Sequence, residues 1–248
     1  QASATSLRIQ SISTPEPARL SAVVDARGIF ALVSEGYFET MRTYGGRPAL
    51  LDRHLARLRG AVEVSGLADA PASAQLASEA RTAAMAAGKE DVLIRIELRS
   101  GEHEVQALPL PVHALAGGAG LSSVILAEVP GYAYPLKSTD RAVHAELLAR
   151  AEAAGAEEAI ITDSGEVIEA TRTNVLVLKD GELATPPAGR CLPGVTRDAL
   201  LEVAPELGLT VAERRIDVDE LASADEVLLS NALIEVRRDG AVEAVTVP

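Results

Sequence analysis

The chain has 248 residues, 48% hydrophobic and 24% charged, with a formal net charge of −13. That balance fits a globular protein with a sizeable core, long enough for two modest domains. Its acidity excludes a general nucleic-acid binder or a protein docked on an anionic membrane, both of which need a basic face.

From the N-terminus, a polar arm of about fifteen residues leads to a strand-like run, Phe30 to Val33, and then to Gly36-Tyr37-Phe38-Glu39-Thr40-Met41-Arg42-Thr43-Tyr44. The turn Gly45-Gly46-Arg47-Pro48 reads as a hairpin. Asp52 is placed to cap a helix running to about Val64, with Leu55, Leu58 and Val62 at helical spacing. An alanine-rich helix spans about Ser73 to Ala87. Val92 to Arg99 alternates like a strand, turns at Ser100-Gly101, and returns through Val105 to Leu108. The stretch from Pro109 to Gly120 reads as a linker. The organisation expected is an N-terminal α+β domain over 1–113, a linker over 114–120 and a larger C-terminal domain over 121–248. Beyond the linker come a strand from Leu121 to Glu128, the segment Tyr132-Ala133-Tyr134-Pro135-Leu136-Lys137, and a helix from Thr139 to Ala154 ended by Gly155. Short strands follow at 158–162, 166–170, 174–178 and 182–185. A helix runs from Val195 to about Leu207-Gly208, and strands at 209–216, 226–229 and 242–247 close the chain. Helices and strands mix without strict alternation, so the class is α+β rather than a doubly wound sheet.

Only three lysines stand against twenty arginines. Lys89 and Lys179 sit in polar turns, whereas Lys137 lies in an apolar, proline-bounded segment. Lysine loses its proton when desolvated and forms Schiff bases, which arginine does not; the alternative is a stem that covers apolar surface while the ammonium stays wet. His54 and Arg57 lie one turn apart on one helix face, as a solvated pair or as a phosphate clamp. Leu192-Pro193-Gly194-Val195-Thr196-Arg197 opens a helix from a Pro-Gly turn, either a plain helix start or an anion site of free N–H groups with the Thr196 hydroxyl beside them. Glu169 interrupts an apolar strand and needs a partner, either an arginine such as Arg172 or a protonated ring nitrogen. The four histidines show no metal-ligand spacing, the single Cys191 excludes a cysteine cluster, and neither a Ser-His-Asp motif nor a phosphate-binding glycine loop occurs. No run is long and apolar enough to span a membrane, residues 1–6 lack a signal-peptide pattern, and one cysteine points to a reducing cytoplasm.

Six segments in order resemble the class IV aminotransferase family, the fold-type IV pyridoxal-phosphate enzymes: Gly36–Thr40, His54–Leu58, Leu136-Lys137, Glu169 with Asn174, Pro193–Arg197 and Ser230-Asn231-Ala232-Leu233. The likeness runs from about Val23 to Val236. It implies a two-domain α+β fold with the cofactor pocket at the domain interface and pyridoxal 5'-phosphate as cofactor. It also implies a homodimer whose pocket is partly lined by the partner chain. Lys137 would hold the cofactor as a Schiff base and then serve as acid and base. Glu169 would bond the ring nitrogen. Arg57 would bind the phosphate with Val195 and Thr196, and Ser230, Asn231, Thr173 and Asn174 would complete the cofactor site. Phe38 and Ala232 would face substrate, and the substrate carboxylate would fall to one of Arg27, Arg42, Arg99 and Arg172.

Among the family's members, the D-amino-acid enzymes usually carry tyrosine where Phe38 stands, and an Arg-x-His carboxylate trap that this chain lacks around His103. Arg42 two residues before Tyr44 looks more like the branched-chain enzymes and the lyases. A transaminase exchanging an amino group between an amino acid or amine and a 2-oxo acid is the expected activity. The alternatives are 4-amino-4-deoxychorismate lyase, which eliminates pyruvate, and a non-catalytic cofactor-binding homologue.

Overall fold

Alternation along β3 (Gly36–Tyr44) sets the first layer. Tyr37, Glu39, Met41 and Thr43 are buried on one face, as the two-residue period of a strand requires. The structure is a computed structural model that describes residues 22–24, 30–32, 34–88, 90–111, 114, 124–238 and 244–246; for 22–24, 30–32, 238 and 244–246 only the backbone enters the description. A short pair, β1 (Ala22–Val24) and β2 (Phe30–Leu32), precedes β3. β3 pairs antiparallel with β4 (Arg47–Pro48) and β5 (Val92–Arg99), and β5 pairs with β6 (Glu102–Pro109), in the order β4-β3-β5-β6. Gly45 and Gly46 both have positive φ, 56° and 76°, which the tight β3–β4 turn demands. Helices α1 (Leu51–Ser65) and α2 (Ser73–Ala86) cover one face of this sheet: Leu51, Leu55, Leu58, Leu76 and Ala80 pack on Tyr37, Met41, Ile94, Ile96 and Leu98.

The rest of the chain builds two stacked sheets. One runs β15-β7-β8-β9, from β15 (Ala244–Thr246), β7 (Val124–Glu128), β8 (Glu158–Asp163) and β9 (Glu166–Ala170). The other runs β12-β11-β10-β13-β14, from β12 (Thr210–Glu213), β11 (Glu182–Thr185), β10 (Asn174–Lys179), β13 (Glu226–Asn231) and β14 (Glu235–Arg238). Val124, Leu126, Ile160 and Val167 of the first meet Val175, Val177, Val227 and Leu229 of the second. The outer face of the first sheet is closed by α3 (Ala142–Ala153) through Leu147 and Ala151, and the outer face of the second by α4 (Val195–Val203) with the 3₁₀ turn Ala204–Leu207. Covered on both sides, β7 and β8 read as continuous apolar runs rather than alternating ones.

Three expectations need correction. Asp52 does not cap α1: the cap position is Leu50, left-handed at φ 48°, and Asp52 is exposed in the first turn. β14 and a five-residue helix, α5 (Val218–Ala222), were not foreseen. α5 is capped by Asp217, whose carboxylate accepts from Glu220 N at 2.7 Å, and is too short to show a helical period. The α3 start lies three residues beyond Thr139, because residues up to Ser138 are pinned to β3. Residues 112–113, 115–120 and 121–123 of the expected linker and strand, together with Arg27 and Lys89, lie outside the described residues.

Candidate active site

The loop between β7 and α3 carries Lys137 along the free edge of β3. Phe38 N–H donates to the Lys137 carbonyl at 3.0 Å, Thr139 N–H donates to the Gly36 carbonyl at 2.9 Å, and Tyr37 and Ser138 form an antiparallel bridge. The chain is thus pinned to β3 at the Lys137 carbonyl and at the Thr139 amide, on either side of Ser138. Gly36 is required there: a Cβ would lie 2.5 Å from the Leu98 carbonyl oxygen. The Lys137 Nζ sits 4.9 Å from the centre of the Phe38 ring, and Arg95 stacks on the same ring at 4.3 Å. Burial, then the Arg57 and Arg141 charges, pull the Lys137 pKa down to about 7, against Glu39 and Glu169, which raise it.

One cavity of about 210 Å³ is lined by Lys137, Arg57 and Glu169 together, along with Phe38, Thr196 and Ser230. A larger open cleft, about 860 Å³, lies over the β3–β4 turn, but its charged lining residues Arg47, Asp52, Arg53 and Arg81 are all exposed, so it lacks the buried polar groups that the smaller cavity gathers.

At one side of the cavity, Glu39 projects from the core-facing side of β3 and meets the two residues that the helix spacing of α1 places together. Arg57 Nε and Nη2 donate to its two oxygens, each at 2.7 Å, and His54 Nδ1 lies 2.8 Å from Oε2. Burial alone would raise the Glu39 pKa; the Arg57 and His54 contacts outweigh it and bring it to about 2. The third Arg57 nitrogen, Nη1, donates to the Pro193 carbonyl at 2.8 Å. The guanidinium fork is therefore closed on Glu39, and Arg57 supports the Pro193-Gly194 turn from below.

That turn opens α4. No side chain caps the helix, so the first amides, of Val195 and Thr196, keep their N–H groups free of a side-chain partner at the cavity wall. Gly194 is obligatory: a Cβ would fall 1.8 Å from Asn174 Oδ1, and Asn174 Nδ2 holds the Leu192 carbonyl at 2.8 Å. Opposite lies Ser230, fully buried, its Oγ among the few buried polar atoms of the described residues that find no hydrogen-bond partner. Asn231 shapes the following turn, accepting from Leu233 N and Ile234 N and donating to the Arg172 carbonyl.

At the far side, Glu169 of β9 accepts from the Tyr132 hydroxyl at 2.5 Å and from Leu192 N–H at 3.0 Å. Burial raises its pKa to about 7 despite those two donors and the Arg141 and Lys137 charges. Tyr132 in turn lies 2.9 Å from His144 Nε2.

Of the residues expected from the sequence, Lys137, Arg57, Glu169, Thr173, Asn174, Val195, Thr196, Ser230, Asn231, Phe38, Arg172 and Ala232 all line this cavity. Thr173 turns its hydroxyl onto Glu158 at 3.0 Å, and Arg172 is tied to the Glu157 carbonyl and to Glu158. Arg42 and Arg99 do not line it. Arg42 reaches Asp91 and the Ala114 carbonyl, and Arg99 pairs with Glu97 on the outer sheet face. The sequence reading missed Glu39, Tyr132, Tyr134, Arg141 and His144. The chain has four tyrosines, and two of them fall within five residues of Lys137; that clustering was the available signal.

The comparisons with known proteins agree with this geometry. The family described as amino-transferase class IV matches residues 36–238. A probable branched-chain-amino-acid aminotransferase of Thermotoga maritima is 31% identical over 81% of this chain and 76% of its own length. A hypothetical aminotransferase from Mycobacterium tuberculosis, solved in a PLP-bound form, shares the fold with a TM-score of 0.77 at 24% identity, covering 86% of this chain and 83% of its own. A protein solved as a candidate 4-amino-4-deoxychorismate lyase gives a TM-score of 0.73 at 25% identity over 83% of this chain and 84% of its own. With the family pattern spanning most of its length, from β3 to β14, this chain belongs to the class IV aminotransferases.

Proposed function

We propose that the protein is a pyridoxal-phosphate-dependent transaminase that moves an amino group between an amino acid or amine and a 2-oxo acid. One observation carries the reading: a single cavity presents a lysine depressed toward neutrality, a buried carboxyl group with no cation partner among the described residues, and an uncapped helix start beside an unpartnered buried hydroxyl. These are the three complements of a phosphorylated pyridine aldehyde. The Val195 and Thr196 amides, the Thr196 and Ser230 hydroxyls and the charge of Arg57 suit a phosphate dianion. Glu169 suits the ring nitrogen, and Lys137 the aldehyde.

Bound there, the cofactor supplies an aldehyde to take up the amino group and a cationic ring to withdraw electrons. The chain does the rest. Lys137, partly neutral near pH 7, would take the proton from the substrate α-carbon onto its Nζ and deliver it to the carbon that had been the aldehyde. Glu169, held by Tyr132 and Leu192, favours the charged form of the ring nitrogen. Phe38 and the edge of β3 close the lysine side against water. Arg141 lines the cavity beside Lys137 with its guanidinium over the Tyr134 ring, and no carboxylate among the described residues forms an ion pair with it. Its Nη2 donates to the Thr171 carbonyl at 2.6 Å, and its remaining N–H groups are the ones we assign to a substrate anion.

The lyase reading keeps one specific support, the likeness to the candidate aminodeoxychorismate lyase. Conversion of the cofactor spectrum by an amino acid, reversed by a 2-oxo acid, belongs to the transaminase; pyruvate released without conversion belongs to the lyase. Lys137→Ala is expected to abolish turnover and the visible absorbance of the bound cofactor, and retained turnover would rule the mechanism out. The wider proposal has domains over 1–113 and 121–248 joined by 114–120, a homodimer and a cytoplasmic setting. The division into two parts is supported by their separate hydrophobic clusters; among the described residues no helix is long and apolar enough to cross a membrane.

A further inference from the structure

Among the described residues, the buried carboxylates are met by cations at ion-pair distance, with one exception. Glu39 faces Arg57 and His54, and Glu158 faces Arg172 at 3.7 Å. Glu169 has no ion pair among the described residues: its hydrogen bonds come from the neutral Tyr132 hydroxyl and Leu192 amide, and the Arg141 and Lys137 charges act on it without such contact. With Glu169 ionised, as a ring nitrogen needs it, the tyrosine hydroxyl has one proton to give, and at 2.5 Å it goes to Glu169 Oε1. The Tyr132 oxygen is then an acceptor, and His144 Nε2 at 2.9 Å must be its donor. That fixes the tautomer: His144 carries its proton on Nε2. The imidazole is buried and wedged edge-on against two rings, Tyr134 at 4.4 Å and Tyr132 at 5.9 Å. Burial, reinforced by the Arg141 and Lys137 charges, lowers its pKa to about 2, so it stays neutral through the working range.

We propose that Tyr132 and His144 are positioning residues for Glu169: a fixed file of neutral donors, His144 Nε2–H to Tyr132 and Tyr132 O–H to Glu169, that orients the carboxylate and leaves its charge to be answered by a cationic ring nitrogen. The inference rests on the cofactor reading above. A cation in place of Tyr132 would compete for the same charge; a neutral donor aims the carboxylate without spending it.

The groups facing Glu169 are Tyr132, Tyr134 and Lys137 from the loop before α3, Arg141 and, through Tyr132, His144 from α3, and Cys191 with the Leu192 amide from the turn before α4. Burial raises the Glu169 pKa and the Tyr132 hydroxyl opposes that rise. Without the hydroxyl, the carboxyl holds its proton to higher pH, and ring binding weakens on the acid side.

The test uses the full chain as wild type, Tyr132→Phe, His144→Leu and His144→Gln, each checked for folding by circular dichroism. Gln is chosen because its Nε2 donor occupies the place of the histidine Nε2–H. The first readout is the infrared carbonyl band of protonated Glu169 in cofactor-free protein, identified by its loss in Glu169→Gln. The second is the pH dependence of pyridoxal 5'-phosphate affinity, followed by its visible absorbance. Tyr132→Phe and His144→Leu are expected to move the Glu169 midpoint and the acid limb of binding up by roughly one pH unit, about tenfold weaker binding below neutrality. His144→Gln is expected to stay near wild type. If Tyr132→Phe does not fold, the Leu and Gln variants carry the comparison. A wild type that binds the cofactor while Tyr132→Phe keeps its profile, or Gln no better than Leu, overturns this inference alone. A wild type that binds no pyridoxal phosphate overturns the cofactor reading and this inference with it.

Discussion

Lys137 is a costly residue for the empty protein, and the sign of that cost is testable. Its pKa falls from 10.5 to about 7 on folding, so the unfolded chain binds the proton more tightly. The penalty is complete below about pH 7 and shrinks as pH rises toward 10.5. Lys137→Met, of similar shape without the charge, is expected to stabilise the cofactor-free protein by about 1–3 kcal/mol at pH 7. The gain should fall between pH 7 and 9 in a series of thermal or urea melts; a gain independent of pH in that window counts against a depressed lysine. Ser230 makes a paired prediction of opposite signs. Its orphaned Oγ gains nothing in the empty protein, so Ser230→Ala should leave stability unchanged or slightly higher, while phosphate-ester affinity drops by about tenfold, roughly 1.4 kcal/mol. At this scale the sequence was legible where composition made a residue odd, as with Lys137 among so few lysines and Glu169 within an apolar strand. On Tyr132 it offered only the nearness to Lys137, and on His144 nothing, because a tyrosine and a histidine in apolar surroundings read as ordinary core.

Among the elements, α4 and β3 carry the most instructive local chemistry. The helix begins at Gly194 with a side chain from another strand, Asn174, lying where a Cβ would be. Gly194→Ala must displace Asn174 and the Leu192 carbonyl it holds, at a cost of about 1–3 kcal/mol in stability. It should also lose phosphate-ester affinity out of proportion, measured by calorimetry with pyridoxal 5'-phosphate. On β3, Glu39 looks inward with the core residues and depends on α1 for its partners. Glu39→Gln leaves Arg57 buried without its counter-ion and is expected to destabilise by about 3–5 kcal/mol, seen as a lower urea midpoint at unchanged slope. The Pro-Gly turn before α4 and the strand alternation were readable from sequence. The claim of Asp52 as a cap failed because a left-handed Leu50 starts α1 without one, a backbone choice that no residue type announces. Arg57 was found by its spacing to His54, but its engagement by Glu39 belongs to the packing of α1 on β3 and has no signature in either segment alone.

At the scale of the whole molecule, the cofactor-free cavity concentrates unfavourable burial: a discharged lysine, a carboxyl raised to about 7 and an unbonded hydroxyl. On the proposed assignment pyridoxal 5'-phosphate would relieve all three, so its addition is expected to raise the melting temperature well beyond the effect of inorganic phosphate. Saturation at a hundred times the dissociation constant corresponds to about 2.7 kcal/mol. The α+β class and the order of elements followed from periodicity and turns. The meeting of 36–57 with 132–233 did not, since nothing local says which strand edge a loop will join. That meeting has a mechanical corollary. The two peptide groups that follow Lys137 are stitched to β3 at Phe38 and Gly36, so pulling these segments apart would tear the seam that holds the lysine in place. A seam of this kind makes the wall beside the lysine a fixed one, and the Phe38 ring, with Lys137 Nζ and the Arg95 guanidinium both against it, is part of that wall.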